Sequence, residues 1–376
     1  MKRKIKILHV LHSVGGVDVS LRLILESINH DEFENVIVHG TNDTKKSFLN
    51  SKGGKVNTYC LPIYRDINLV KDFSSLRRII SIIKKEKPDI IHAHSAKGGV
   101  LGKISGKLTK TPVLHTPQAY SYLSAPNKFK KIAYLFIEKQ LSFSGNKILA
   151  SSNSEKKRAI SEVGYPEDRT LLFNNSILPI SHIEDLSIKK TWPDEYICSV
   201  GRPSYQKNIE FMLDVLYELK KQKKDIHLVL MGVGYHSPNL KIIKSKIRLL
   251  NLKNNITLLE WTERGDIFNI IKNSMLYLTT ARYEGLPYSV IESLALGKPI
   301  VATDADGNRD LVFNGKNGYV IPNEDPLEFS QKVLNLLNNE QKIKEFSKNS
   351  KILYEEKFNM VKNIKKLEKI YKNNIA

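Results

Sequence analysis

Residues 275–303 constrain the fold of this chain more than any other stretch. Met275-Leu276-Tyr277-Leu278-Thr279-Thr280 is a short apolar run of the kind that forms a buried parallel strand. Arg282-Tyr283-Glu284-Gly285-Leu286-Pro287 follows as a turn, and Pro287 is pre-set for the first turn of a helix. The helix is expected to run to about Leu296, with Gly297 as its C-terminal cap. Pro299-Ile300-Val301-Ala302-Thr303 then reads as another strand. Strand, turn, helix, strand is the repeating unit of an open parallel α/β sheet. Such sheets bind ligands outside the carboxyl ends of their strands, where the first amides of the following helix point outward. Gly285 permits close approach of the backbone to a ligand. The amides of Gly285, Leu286 and the first helical residues therefore form an anion cradle. Glu284 stands at its lip. Glu292 lies about a turn and a half into the helix, within reach of a diol beside the phosphates. An anion cradle with a diol acceptor implies a nucleotide-sugar site.

The same alternation runs through all 376 residues. In the first half, strands are expected at 5–10, 35–39, 55–61, 89–94, 112–115, 147–151 and 170–173, and helices at 19–28, 69–85, 98–107, 128–141 and 154–163. Residues 180–193 are polar and without pattern, as in a linker. Strands resume at 196–200, 227–231, 256–259, 275–280 and 300–302, and residues 352–376 read as helix with an apolar face. Two Rossmann-like domains result, at 1–182 and 190–354. Apolar content of 41% and charged content of 26% are those of a folded chain. Cys60 and Cys198 sit in apolar strand-like runs, as reduced core residues would. No segment has the length of a membrane span or a signal-peptide core, so a cytoplasmic location is expected. The net charge is +20, and the first half carries most of the excess. Such a balance suits a large anionic partner, either nucleic acid or an anionic membrane surface.

Further along, Gly201-Arg202 ends one strand and Lys207-Asn208 opens the next helix. A planar guanidinium, a point-charge ammonium and a helix start together make a diphosphate grip. Gly232 and Gly234 form a second strand-end turn. Arg282 to Pro287 and Ile291-Glu292-Ser293-Leu294-Ala295-Leu296-Gly297-Lys298-Pro299-Ile300-Val301-Ala302-Thr303-Asp304 together resemble the signature of the large family of retaining GT-B glycosyltransferases. This is the group 1 family, whose bacterial members build capsule and lipopolysaccharide. The spacing of Arg202 and Lys207 is similar to the family's too.

The resemblance implies a GT-B fold of α/β class, two Rossmann-like domains facing each other across a crevice. It places the donor in the C-terminal half and the acceptor in the N-terminal half, with the C-terminal helix, 355–376, packed back on the N-terminal domain. It implies a retaining hexosyltransferase that moves a sugar from a UDP or GDP donor to a glycan acceptor, lipid-linked, in surface polysaccharide synthesis. Arg202 and Lys207 would hold the diphosphate. Gly15-Gly16, after the first strand, would approach the donor phosphate, and Trp261 and Thr262 would lie near the base. Fixed cations and amides stabilise a leaving diphosphate without a metal, so no cofactor is expected. Asp304-Ala305-Asp306 reads as a turn ending at Gly307.

On the acceptor side this chain departs from the family. Where many members carry a histidine near the donor sugar, His115-Thr116-Pro117-Gln118-Ala119-Tyr120 has Gln118, with His115 three residues earlier. A glutamine hydrogen-bonds a hydroxyl but carries no charge. Either His115 takes the role or no ionisable group is needed there. His92 and His94 alternate onto one strand face, and no third metal ligand is evident in sequence. Two other functions fit parts of the pattern: a nucleotide-sugar epimerase of the same fold, and a basic nucleic-acid-binding protein. No nucleic-acid-binding motif accompanies the charge. Lastly, Phe129, Ile132, Ala133, Phe136 and Ile137 form an apolar stripe edged by Lys128, Lys130, Lys131 and Lys139. Such a stripe faces either the domain core or a membrane surface, which would hold the enzyme peripherally at the inner face of the plasma membrane.

Overall fold

A computed structural model describes residues 3–64, 66–222, 226–234, 237–260, 262–322 and 324–375. Tertiary contacts divide the chain into two compact units, Met1–Leu178 with Asn359–Ala376, and Pro179–Phe358. Each is built on one parallel sheet.

The first unit runs β1 (Ile5–Val10), α1 (Gly16–Ser27), β2 (Phe33–Gly40), β3 (Asn57–Leu61), α2 (Leu69–Glu86), β4 (Ile90–His94) and α3 (Ser95–Thr109). It continues through β5 (Val113–Thr116), α4 (Lys128–Ser142), β6 (Lys147–Ala150), α5 (Asn153–Arg158) and β7 (Thr170–Leu172). The sheet order is β3-β2-β1-β4-β5-β6-β7. The order reverses between β1 and β4, and this switch opens a crevice at the carboxyl edge. Leu8, Val10, Val36, Val38, Ile79, Ile83, Ile91 and Leu101 form the core on one face. Leu11, Leu21, Leu25, Ile37 and Phe48 form it on the other. α3 lies close against the sheet because it carries glycines. A Cβ on Gly98 would sit 2.4 Å from the Val10 carbonyl oxygen, and one on Gly99 would sit 2.2 Å from His115 Nε2.

The second unit runs β8 (Tyr196–Val200), α6 (Ile209–Lys221), β9 (His227–Met231), α7 (Leu240–Leu249), β10 (Ile256–Leu259) and α8 (Arg264–Asn273). It continues through β11 (Tyr277–Thr279), α9 (Tyr288–Ala295), β12 (Ile300–Thr303), α10 (Asn308–Leu311), β13 (Gly318–Ile321), α11 (Pro326–Leu337) and α12 (Glu340–Lys357). Its sheet order is β10-β9-β8-β11-β12-β13, with the switch between β8 and β11. Ile197, Leu213, Leu216, Leu228, Leu230, Leu278, Val301, Phe329 and Val333 are among its core residues.

Several local expectations are corrected. Pro287 is the N-cap of α9 rather than a residue of its first turn, because its ψ of 123° is extended. α1 begins at Gly16, not near Val19, since Gly15 at φ 61° and ψ −130° turns the chain earlier. The helical tail is two helices. α12 ends at Lys357, and α13 (Met360–Lys372) starts anew with Asn359 capping Val361 N. Cys60 is exposed on the edge strand β3, whereas Cys198 is buried with its thiol pushed up to about 12 by burial. Among the described residues no helix is long and apolar enough to cross a membrane.

α13 packs on the first unit through Leu367 and Tyr371, both fully buried. Tyr371 OH is 2.7 Å from His92 Nδ1, and Glu368 Oε1 accepts from Asn29 N at 2.9 Å. Deleting the Tyr371 hydroxyl leaves a buried imidazole nitrogen without that partner, which costs about 1–3 kcal/mol. Tyr371→Phe should therefore lower the denaturant midpoint of the first unit's transition. An unchanged midpoint would mean that apolar burial alone holds α13.

Candidate functional site

The second unit gathers charged groups at the carboxyl edge of its switch strands. Arg202 follows β8 by two residues and is exposed. Lys207 lies five residues further, just before α6. Its Nζ is 2.7 Å from Glu284 Oε1, in the turn after β11. Gln206 Nε2 donates to Glu284 Oε2 at 3.1 Å, so both carboxylate oxygens are engaged and the side chain is nearly buried. The backbone fixes this register. Arg282 N donates to Gln206 O at 2.8 Å, Thr280 Oγ1 donates to Lys207 O at 3.0 Å, and Thr303 Oγ1 donates to Ala281 O at 2.6 Å. The loops after β8, β11 and β12 are thus tied together rung by rung.

Glycines let these loops meet. A Cβ on Gly307, at φ 78°, would fall 2.8 Å from Gly285 O and 3.0 Å from Pro287 Cδ. The turn Gly285-Leu286-Pro287 is therefore braced from behind by the loop after β12, with Leu286 buried. Gly232, at φ 85°, closes on the Gly201–Arg202 turn. Asp304 and Asp306 both pair with Arg309, as expected of a structural turn.

Glu292 sits on α9, where Arg264 Nη2 reaches its Oε1 at 3.0 Å. Burial pushes its carboxyl up to about 7, against the opposing pull of Arg264. Thr262 lies in the loop before α8; Trp261 lies outside the described residues. Sequence reading missed Gln206 and Arg264. Gln206 adjoins a residue that was found, and Arg264 opens a helix 28 residues from its partner, a pairing that spacing does not announce.

In the first unit, Gly15 caps α1. Ser13 in the same turn donates from Oγ to Asp18 Oδ1 at 2.7 Å, and His12 Nδ1 is 2.5 Å from Asp43 Oδ1. His115 is fully buried, with Nε2 3.0 Å from Ser95 O. Burial, aided by the charge of Lys103, holds its imidazole well below the ordinary range. The ring lies sealed beneath α3, a placement that suits packing. Gln118 is half-buried at φ 53°, followed by Ala119 at φ 74°. Two successive left-handed non-glycine residues are costly. Glu155 offsets that cost by accepting from Ala119 N at 2.8 Å and Ser151 N at 2.7 Å.

His92 and His94 do have a third imidazole beside them, His9 on β1, with ligand atoms within 4.8 Å of one another. His9 Nδ1 is 3.0 Å from His94 Nε2, His9 Nε2 is 3.0 Å from Asn35 Oδ1, and His92 Nε2 is 2.9 Å from Thr116 Oγ1. These bonds make the cluster a buried polar network that ties β1 to β4.

Comparison with known proteins agrees with this architecture. Residues 183–353 match the family model described as glycosyl transferases group 1, and residues 14–177 match that of glycosyltransferase family 4. The chain is 28% identical to the Escherichia coli UDP-Gal:alpha-D-GlcNAc-diphosphoundecaprenol alpha-1,3-galactosyltransferase, covering 98% of this chain and 97% of the relative. It is 25% identical to the capsular polysaccharide biosynthesis glycosyltransferase CapM of Staphylococcus aureus, over 83% and 84% of the two chains. Among solved structures, HepE of Anabaena in complex with UDP and glucose superposes with a TM-score of 0.80 at 17% identity, over 98% of this chain and 99% of that one.

The raised carboxyl of Glu292 predicts a pH signature. The folded chain retains this proton above the ordinary carboxyl value of 4.5, up to about 7, whereas the unfolded chain has released it. Stability contributed by this group is therefore lost as pH rises across that window. Glu292→Gln does not titrate, so its melting temperature should gain on the parent chain's as pH climbs from about 4.5 to 7. Parallel curves would remove the burial argument.

Proposed function

The chain belongs to the group 1 glycosyltransferases of GT-B fold, and from that premise we propose that it is a retaining hexosyltransferase using a UDP-sugar donor and a lipid-linked glycan acceptor in bacterial surface polysaccharide synthesis. The observation that carries the proposal is the convergence of Arg202, Lys207, Glu284 and the Gly285-Leu286-Pro287 turn on the β8/β11 switch of one sheet. Cleavage of a sugar–diphosphate bond leaves charge on the diphosphate. Arg202 offers a fork to it, Lys207 a point charge, and the α9 start its amides. Glu284, at the lip, accepts hydroxyls of the hexose. Glu292 accepts the ribose diol.

Support for UDP and for an acceptor on a lipid diphosphate comes from the name of the Escherichia coli relative, which matches this chain nearly end to end. Bacterial surface polysaccharide is also the theme of the Staphylococcus aureus relative. GDP remains the second donor to assay. Retention follows from the resemblance, and the leaving diphosphate is the group that the cations serve best. Both family models are of transferases, which weighs against the epimerase reading, and a reaction run without acceptor separates the two. The enzyme is proposed to work at the cytoplasmic side of the membrane, without a metal.

Arg202→Ala and Lys207→Ala should each lower transfer on the order of a hundredfold, because they act on developing diphosphate charge. Glu284→Gln should lower kcat by roughly 10- to 100-fold, the worth of a charge-assisted hydrogen bond of about 1.5–3 kcal/mol. Radiolabel transfer to a diphosphate-lipid acceptor, with the product's anomeric coupling read by NMR, tests both the activity and the stereochemistry. Full activity of these variants, an inverted product, or loss of transfer in EDTA would each overturn the corresponding part.

A further inference from the structure

α4 is turned inside out. Its inner face is Tyr134, Leu135, Glu138 and Ser142; Tyr134 and Leu135 pack on the cluster of Tyr120, Tyr122 and Tyr165. Glu138 is buried and pairs with the equally buried Lys103 of α3 at 3.0 Å. The apolar stripe points the other way, with Phe129 85%, Ile132 66% and Phe136 59% exposed. A helix that buries an ion pair and exposes its phenylalanines reverses the pattern of a core-facing helix. The core alternative for this stripe is therefore excluded.

A second apolar tip stands near it. Ile67, Leu69, Val70 and Phe73, at the start of α2, are all exposed, Val70 by 81%. β3 to β4, β4 to β5 and β5 to β6 all cross in the same direction along the sheet, so α2, α3 and α4 lie on the same face. Each starts at the carboxyl edge of the sheet. α2 packs on α3, and α3 on α4. Lys97, at the start of α3, binds Asp72 Oδ2 at 2.7 Å and Asp66 O at 3.0 Å, which fixes the α2 tip beside α3. Two apolar tips thus flank the start of α3 on one edge of the first unit.

The charge around the α4 stripe is one-sided. Lys128, Lys130, Lys131 and Lys139 border the α4 stripe, all exposed, while the α2 tip carries Lys71 beside Asp66 and Asp72, the latter paired with Lys97. Residues 51–150 carry 18 Lys and Arg against 5 Asp and Glu.

We propose that the exposed faces of α2 and α4 form a docking surface for an anionic lipid bilayer, the phenylalanine tips entering the headgroup boundary while the lysines hold the anionic headgroups. Apolar side chains in a cationic border fit a surface that is apolar within and anionic at its edge. This surface stands apart from the donor grip: vesicle binding needs no nucleotide, so its failure and that of the transfer reaction are distinguishable.

The test is co-sedimentation of the full chain with vesicles of phosphatidylglycerol and of phosphatidylcholine. Binding should be at least about tenfold stronger to the anionic vesicles at low salt and should fall as salt rises. Lys128→Glu with Lys130→Glu and Lys131→Glu, and separately Phe129→Ser with Phe136→Ser, should each abolish it. UDP affinity and melting temperature should be unchanged, since these side chains are exposed. Equal partition to both vesicles overturns the proposal. So does charge-dependent binding that the phenylalanine changes leave intact, since nothing then inserts. A dimer dispersed by those same changes, in a chain that ignores vesicles, would assign the face to a second copy of the chain and also overturn it.

Discussion

The ion pair of Lys207 with Glu284 is the contact on which the proposed site depends. It joins the turn after β8 to the turn after β11, across the strand switch. Alone, an ion pair with a partly exposed lysine contributes little. Here it is backed by Gln206 on the second carboxylate oxygen, and by backbone rungs from Arg282 to Gln206 and from Thr280 to Lys207. Those rungs fix the two turns side by side, so that the ammonium and the carboxylate are within reach of each other. A diphosphate competing for Lys207 would release a carboxylate already aimed at the same place, where a hexose hydroxyl can take over the vacated hydrogen bond.

The first unit applies the same sheet logic to different ends. Its switch strands, β1 and β4, carry His9, His92 and His94 inside the domain, neutral and hydrogen-bonded to Asn35, Thr116 and Tyr371. Burial pushes His9 down to about 4. The network closes with α13, so the last helix completes the polar interior of the unit that the first strand begins. Gly98 and Gly99 bring α3 down on β1 and on His115. That close packing seals His115 from solvent, while Gln118, in the turn after β5, is only half-buried.

Where local chemistry decides an element, the sequence was legible. Tyr196–Val200, His227–Met231 and Ile256–Leu259 are apolar runs between turn residues, and each is a strand with those limits. The Glu284-Gly285-Leu286-Pro287 turn likewise lies between a strand and a helix, as its glycine and proline require. What was not legible depends on residues far apart in the chain. Arg264 finds Glu292, Glu155 holds the Gln118–Ala119 turn, and Tyr371 meets His92, none of them at a spacing that a helix or strand imposes. The face of α4 is the sharpest case. Its apolar period was visible, but its direction was set by the buried Lys103–Glu138 pair, which no period reveals.

The most direct test is a double-mutant cycle on UDP affinity by isothermal titration, using Lys207→Ala, Glu284→Gln and the pair. If Lys207 must leave Glu284 to hold the diphosphate, Glu284→Gln alone should tighten UDP, freeing the ammonium even as it slows transfer. Lys207→Ala should weaken UDP, and in that background Glu284→Gln should have no effect, so the two sites are coupled. Additive changes, or a loss of UDP affinity in Glu284→Gln that persists without Lys207, would contradict the account.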